Sequence, residues 1–411
     1  MKRRAFLASA TAIALLSGEA LAARKKQPAP TTAKPAAKPR SSQRKPASSS
    51  TQRAAVANTA EDSIIEKPPQ GSSASRLPPV KAAEPPAQWR TFEITTSVKL
   101  QGATGKTNIW LPLPLNQDTL FQRTLGHNWT GNPDQSGMHR LPDGDLEVFH
   151  AEWSEGREGR LQIRTLVTTA DRIFDITKRT VAPEREDILR RNLQASRLIP
   201  NDGLAHQQAE RIIGRIKDPV AQAKALFDWV VDQSVYDPSL SGCGSGDVRR
   251  QLDSGIYGGR SADINGLFVA LCRAIGIPAR CVYGMRVGSS RLFSSLGLKD
   301  TDATRAQHVR AEFYSPGFGW IPVDPSDVRR AIGIEGLSDR DSRLLSLRKV
   351  LFGVWEMNWV AFNVGTDVVL PGQQLPLPFL LLPQLEAGAM RRDGTNPAAF
   401  DYTISARQVA L

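Results

Sequence analysis

From residue 89 onward, apolar and polar residues first alternate with a period of two. One such run covers residues 92–100 (FEITTSVKL), and a second covers residues 161–167 (LQIRTLV). A period of two places every other side chain on one face of a strand. Turn residues lie between the two runs, as at 131–134 (GNPD). The pattern predicts an antiparallel β-sandwich over residues 89–185.

The hydrophobic period then changes to the one that is typical of helices. Residues 204–217 and 220–233 have helical spacing, and Asp218 followed by Pro219 is a favourable start for the second of them. A third apolar set with helical spacing covers residues 264–275. The chain beyond the sandwich is therefore predicted to begin with helices.

Ser261 directly precedes the third helical run, within the segment 258–263 (GGRSAD), and Gly276 ends that run. This arrangement places Ser261 at a helix N-terminus. A strand is predicted after the helix, over residues 280–287. Ser261 is therefore a candidate position for a nucleophilic hydroxyl.

Two further strands, 308–314 and 318–324, are predicted around a loop formed by residues 315–317 (SPG). With that loop, His308 would face Asp324, because their separation is even and the two side chains share a face. Directly paired residues have Cβ atoms about 4.5–5.5 Å apart. A carboxylate at that distance can fix the tautomer of an imidazole and stabilise its protonated form. The alternative is a surface histidine beside a strand-end aspartate.

Positive charge is concentrated in the first 88 residues. Of the formal net charge of +12, residues 1–88 carry +10 and the rest of the chain only +2. A nucleic-acid-binding fold would carry the excess on its folded body, so no nucleic-acid partner is expected. The three cysteines are too few for a disulfide-stapled scaffold or a four-thiolate metal site. The chain also lacks a D-x-D-x-D-G calcium loop, and we expect neither a metal nor a cofactor.

The N-terminal region predicts export. Residues 1–22 indicate a signal peptide of the twin-arginine type, with an A-x-A cleavage site at 20–22, although a general secretory signal is the alternative. Residues 23–88 are rich in Pro, Ala and Lys, which is typical of a disordered linker. We therefore expect a periplasmic or secreted protein without a transmembrane segment. Its basic linker would either contact anionic envelope material or act as a spacer.

Three ordered motifs resemble the transglutaminase-like superfamily: residues 263–280 (DINGLFVALCRAIGIPAR), 308–312 (HVRAE) and 319–325 (GWIPVDP). The resemblance implies a papain-like domain over 186–330, with a catalytic cysteine at a helix start, a histidine on one strand and an aspartate on the next. His308 and Asp324 fall on the histidine and aspartate positions. The cysteine position falls on Ser261. The predicted fold class is α+β, with residues 331–411 as an extension packing on both domains.

Serine at the nucleophile position leaves three interpretations open. In the first, Ser261 is degenerate and the domain binds peptides or glycan-linked peptides without turnover. In the second, Ser261, His308 and Asp324 form a working hydrolase or acyltransferase. In the third, Cys243 in the glycine-rich run 242–246 (GCGSG) brings a thiol into the same cleft from a flexible loop. All three imply a peptide or protein partner, with peptidoglycan-associated peptides a candidate for an exported protein.

The remaining cysteines are expected to be structural. Cys272 lies on the apolar face of the third helix, and Cys281 lies in the following strand. An oxidising compartment would allow a disulfide between Cys281 and Cys243. Of the aromatic residues near the end of the second helix, Tyr236 could line the cleft, and Trp229 is expected to pack in the core.

Overall fold

The structure, a computed structural model, describes residues 86–410 apart from residue 103 and the segments 176–180 and 396–399. The predicted signal peptide (1–22) and nearly all of the predicted linker (23–88) lie outside the described residues. Within that range, no helix combines the length and the apolar composition that crossing a bilayer requires.

The secondary structure changes from strands to helices and back along the chain. The first strands are β1 (Arg90–Leu100), β2 (Thr107–Leu113), β3 (Gln122–Gly131), β4 (Gln135–Leu141), β5 (Leu146–Trp153), β6 (Gly159–Thr169) and β7 (Arg172–Ile173). The mostly helical middle has α1 (Glu186–Arg191), α2 (Gly203–Ile213), α3 (Pro219–Gln233), β8 (Val235–Tyr236), α4 (Val248–Ser254), β9 (Gly258–Gly259) and α5 (Ser261–Ala274). The remaining elements are β10 (Ala279–Arg286), β11 (Gln307–Ser315), β12 (Gly319–Val323), α6 (Pro325–Glu335), α7 (Ser342–Val350), β13 (Val354–Trp355), β14 (Trp359–Asn363), β15 (Gln384–Ala387), β16 (Met390–Asp393) and β17 (Tyr402–Val409).

The alternating pattern predicts β1 and β6, which are neighbours in an antiparallel sheet with the strand order β17-β1-β6-β3. A second antiparallel sheet has the order β16-β15-β2-β5-β4. The alternating side chains Phe92, Ile94 and Val98 of β1 are all buried, and burying a side chain of this size contributes about 1.5–3 kcal/mol. The C-terminal strands complete both sheets, because β17 pairs with β1 and β15 pairs with β2.

Helix α5 is buried along almost its whole length, from Ser261 to Arg273. It packs against β10 and β11 of a four-stranded sheet with the order β12-β11-β10-β14, and against α2, α3 and α6. A helix enclosed on all sides needs apolar residues all round, and Leu267, Phe268 and Leu271 are fully buried. Antiparallel sheets with separate helices confirm the predicted α+β class.

The β11–β12 hairpin has a register that differs from the predicted one. Ser315 pairs with Gly319, so the loop consists of residues 316–318 instead of 315–317. Pro316 has no N–H to give to the ladder, which makes it a loop residue. Gly319 has a φ of +74°, a left-handed conformation that few other residues adopt at the start of a strand.

The new register corrects the predicted direct pairing of His308 with Asp324. Ala311 pairs with Val323, where β12 ends, so Asp324 lies beyond the ladder and caps helix α6. The shift is by two residues, and an even shift keeps every side chain on its face. His308 and Asp324 therefore still lie on the same side of the sheet, although they are not cross-strand partners.

Candidate active site

Ser261 occupies the first position of helix α5, and the glycine-rich run 242–246 packs against this end of the helix. The Asp263 carboxylate accepts hydrogen bonds from the N–H of Arg260 and from the N–H of Gly246, both at 2.8 Å. A Cβ at Gly244, whose φ is +92°, would overlap the Asp263 carboxylate. The glycines are therefore needed to wrap this buried carboxylate, and the carboxylate in turn fixes the helix start.

The Ser261 side chain contacts the strand that carries the histidine. Its Oγ accepts a hydrogen bond of 3.1 Å from the N–H of Val309, the residue after His308. Ser261 is only 6% exposed. Because Oγ is the acceptor in this bond, the hydroxyl proton stays available for donation to another group.

His308 and Asp324 form a buried hydrogen-bonded pair. The distance between His308 Nε2 and Asp324 Oδ2 is 2.7 Å, which is short for a hydrogen bond to nitrogen and typical of one to a charged group. Both residues are buried. With Nε2 bound to the carboxylate, Nδ1 is the ring nitrogen that can serve a nucleophile or a substrate.

Asn265, one turn after Ser261 in α5, links Asp324 to strand β11. Its Nδ2 donates to the carbonyl of Val309 at 2.6 Å and to Asp324 Oδ1 at 3.1 Å. Asp324 Oδ1 also accepts from Ser326 Oγ at 2.7 Å. This network fixes the orientation of Asp324 relative to helix α5 and strand β11, and a group held this way is pre-organised for catalysis.

Two buried arginines balance the carboxylates around His308. Arg286 Nη2 lies 2.5 Å from Asp327 Oδ1, and Arg310 Nε lies 3.5 Å from Asp324 Oδ2. Asp327 Oδ1 is also 3.5 Å from His308 Nε2. Burial lowers the pKa of His308 below its ordinary value, and the positive charge of Arg286 acts in the same direction. A lowered pKa favours the neutral imidazole, which is the form that accepts a proton.

His308, Asp324 and Asp327 also form a group whose ligand atoms all lie within 4.8 Å of one another. Their oxygens, however, already accept hydrogen bonds or ion pairs from Arg286 and from the Asn265 network. A cation would have to compete with the guanidinium groups for these oxygens. The donors fit an imidazole–carboxylate site better than a metal site.

A cavity of about 470 Å³ opens beside the candidate residues. Ser261, His308 and Asp327 line it, and so does Tyr236, as its position after the second predicted helix suggested. Trp229 is partly buried and packs against Tyr257 at a ring distance of 5.0 Å. The cavity therefore gives a substrate access to Ser261 and His308.

Cys243 does not line this cavity. One interpretation of the sequence instead has a flexible loop that presents the Cys243 thiol to the cleft. The Cys243 side chain is 2% exposed and belongs to the hydrophobic core, and the cavity-lining residues do not include it. Its carbonyl accepts the N–H of Ala262 at 2.8 Å, which holds the loop against α5. Burial raises the pKa of Cys243 to about 12, so a thiolate is disfavoured there. Cys243, Cys272 and Cys281 are all free and buried.

The sequence prediction missed the residues that support the site. Asn265 is a polar residue in the middle of an otherwise apolar run, which is the signal that could have revealed it. Arg310 lies two residues after His308, and Asp327 three residues after Asp324. Their roles depend on burial and on contacts between distant segments, as between Arg286 and Asp327, which a single sequence does not show.

Residues 206–325 match the family model described as the transglutaminase-like superfamily. This segment contains Ser261, His308 and Asp324. The chain belongs to the transglutaminase-like superfamily. This member has Ser261 where the resemblance places the cysteine of the superfamily.

The similarity of the chain to known proteins extends beyond the matched segment. An uncharacterized protein of Haemophilus influenzae is 31% identical over 341 residues, covering 77% of this chain and 91% of the relative. A solved candidate cysteine protease from Cytophaga hutchinsonii is 18% identical, covers 78% of this chain and 99% of its own, and has a TM-score of 0.45. The periplasmic domain of TgpA from Pseudomonas aeruginosa is 18% identical, covers 59% and 98%, and has a TM-score of 0.30.

Proposed function

We propose that this transglutaminase-like protein is an acyl-transfer hydrolase that cleaves amide bonds in peptides with Ser261 as the nucleophile. His308 is the general base, and Asp324 orients the imidazole. The observation that carries the proposal is the 2.7 Å hydrogen bond between His308 and Asp324, with Ser261 Oγ bonded to the N–H of the very next residue. Ser261 therefore contacts the end of strand β11 that carries His308, and both residues line the cavity.

The proposed reaction has two steps. His308 Nδ1 takes the hydroxyl proton while Ser261 Oγ attacks the substrate carbonyl, and the bond from carbonyl carbon to the amine then breaks as His308 returns the proton to the leaving nitrogen. The developing oxyanion lies near the N-terminus of α5, where the helix dipole stabilises negative charge. Water or an amine then attacks the acyl-serine and releases the acyl product.

Binding without turnover is the second candidate function. Ser261 Oγ accepts the N–H of Val309 in the structure, and its side chain is nearly buried. An acceptor bond draws electron density from the oxygen and makes it a weaker nucleophile. A site shaped for sulfur could then retain peptides without cleaving them. The thiol of Cys243 is a weaker candidate because it is buried away from the cavity.

The predicted signal peptide and basic linker support action in the cell envelope. Both lie in the sequence before residue 89, and their composition is typical of exported proteins. We place the substrate among envelope peptides on this ground, with peptidoglycan-associated peptides the first candidates.

The proposed hydrolase can be tested with p-nitrophenyl acetate, which transfers its acetyl group to activated serines. The wild-type chain is expected to release a burst of nitrophenol close to one equivalent, with an acetyl group on Ser261 in the intact mass. Ser261→Ala should show no burst. Ser239→Ala is the matched control, because Ser239 is exposed in a loop outside the cavity, and it should retain the burst. A folded wild-type chain that forms no acetyl-enzyme would favour binding without turnover.

A further inference from the structure

Four arginines and three aspartates line the cavity beside Ser261, which leaves an excess of one positive charge. Arg260 and Arg330 are two of these arginines, and Tyr236 lies between them, with the guanidinium carbons 5.4 Å and 5.3 Å from its ring centre. Arg260 follows directly on β9, and Arg330 is on helix α6. Two separate elements therefore bring positive charge to one side of the cavity.

Neither arginine forms an ion pair within the described residues. Arg260 Nη1 donates to the carbonyls of Pro238 and Leu240 at 3.2 Å and 2.9 Å. Arg330 donates from Nε to the carbonyl of Ser295 at 2.7 Å and from Nη1 to the hydroxyl of Tyr236. A guanidinium has five N–H donors. These contacts fix both side chains and still leave donors for a ligand.

Two buried arginines beside His308 are ion-paired, whereas in the part of the chain that the structure describes the half-buried Arg260 and Arg330 are not. Arg286 and Arg310 contact Asp327 and Asp324, respectively. Burial lowers the pKa of Arg330, the nearby charge of Arg286 lowers it further, and Tyr236 and Asp327 offset only part of this. An anion in contact with the guanidinium would reduce this cost, since it would add a counter-charge.

We infer that Arg260 and Arg330 bind a carboxylate of the substrate close to the bond that Ser261 attacks. The substrate class is a peptide with a free carboxylate within about one residue of the cleaved amide, either the C-terminal carboxylate or an acidic side chain. A guanidinium matches the two oxygens of a carboxylate. The inference rests on the proposed hydrolase only for the cleavage step, because carboxylate binding can be measured without turnover.

Three rhodamine-labelled tripeptides test the inference by fluorescence anisotropy: Ala-Ala-Ala with a free C-terminus, its carboxamide, and Ala-Glu-Ala carboxamide. Ser261→Ala in the full chain removes turnover. We expect one of the two carboxylate peptides to bind at least about tenfold more tightly than Ala-Ala-Ala carboxamide. The preferred peptide identifies the source of the carboxylate. Equal affinity for all three peptides would overturn the inference.

Arginine variants locate the effect. Arg260→Met and Arg330→Met should each reduce the carboxylate preference about tenfold, and Arg330→Lys should restore part of it. Arg329→Met is the matched control, because Arg329 is the preceding residue of α6 and does not line the cavity. It should keep the full preference. Full preference in the two cavity variants, with circular dichroism showing them folded, would contradict the assignment.

The same variants separate this inference from the proposed hydrolase. A neutral fluorophosphonate reacts with activated serines and needs no carboxylate, so it should label Ser261 in the Arg329→Met control as it does in the wild type. Labelling of the wild type, together with equal affinity of the Ser261→Ala chain for all three peptides, would reject the arginine site alone. Carboxylate preference without labelling would reject the hydrolase and leave a carboxylate-binding module.

Discussion

Ser261 differs from a cysteine in the way its nucleophile must form. A thiol near a helix N-terminus ionises before the substrate arrives, whereas a hydroxyl keeps its proton until a base removes it during attack. The lowered pKa of His308 suits the second case, because a neutral imidazole is the form that accepts a proton. The surroundings of Ser261 are thus compatible with oxygen chemistry.

Replacing Ser261 with cysteine should create a reactive thiol. The N-terminus of α5 and His308 can stabilise a thiolate, so Ser261→Cys should react with iodoacetamide about tenfold faster than free cysteine at pH 7. The native cysteines give a low background because all three are buried. Ser239→Cys, in an exposed loop, serves as the control and should react like free cysteine. If the thiol introduced by Ser261→Cys reacts no faster than that control, a retained nucleophile position is contradicted.

The rate of Ser261 labelling should depend on pH through His308. Only the neutral imidazole acts as base, and burial lowers its pKa. The labelling rate with fluorophosphonate should therefore rise with pH through a midpoint below 6.5 and reach a plateau before pH 8. The stability of the reagent is measured separately over the same range. A midpoint above the ordinary histidine pKa would show that the imidazolium is stabilised instead.

The start of helix α5 depends on the glycine-rich run at 242–246. Because a Cβ at Gly244 would overlap the carboxylate of Asp263, Gly244→Ala should lower the free energy of unfolding by several kcal/mol, beyond the roughly 1 kcal/mol of a strained positive φ. Gly255→Ala is the control, since its φ of +67° is also left-handed and nothing lies within 4 Å of the added Cβ. Urea denaturation gives both values, and equal losses would show that Asp263 moves freely.

Much of the element arrangement could be predicted from local patterns. Period-two runs give β1 and β6, and helical spacing with Asp218 as N-cap gives α3, where the Asp218 carboxylate accepts the N–H of Ala221. The hairpin register could not be fixed this way, because several residues around Pro316 are suitable for a turn. The polar Asn265 stands out in an apolar run, but the partners of Asn265 and Arg286 could not be predicted, because they are distant in the sequence.

At the scale of the whole molecule, the C-terminal strand β17 connects the sandwich to the cavity. It pairs with β1, and its residues Tyr402 and Thr403 line the cavity. The carbonyl of Ile404 accepts the N–H of Ala303, in the segment before β11. The sandwich therefore contributes part of the cavity wall that a substrate meets.

The predicted linker should be dispensable for folding and should matter for retention. Deleting residues 24–85 removes most of the N-terminal positive charge, while all described strands and helices remain. The melting temperature should stay unchanged. Binding to isolated envelopes should weaken, and the binding of the full-length protein should fall as salt rises, because charges in water are screened over about 10 Å at 0.1 M. Equal retention of both proteins at low salt would identify the linker as a spacer.

The central claim is that Ser261 is an activated nucleophile, and fluorophosphonate labelling followed by peptide mapping tests it most directly. The account predicts one adduct per chain, located on Ser261, lost in Ser261→Ala and strongly slowed in His308→Gln. A wild-type chain that stays unlabelled, or an adduct on a residue other than Ser261, would contradict it.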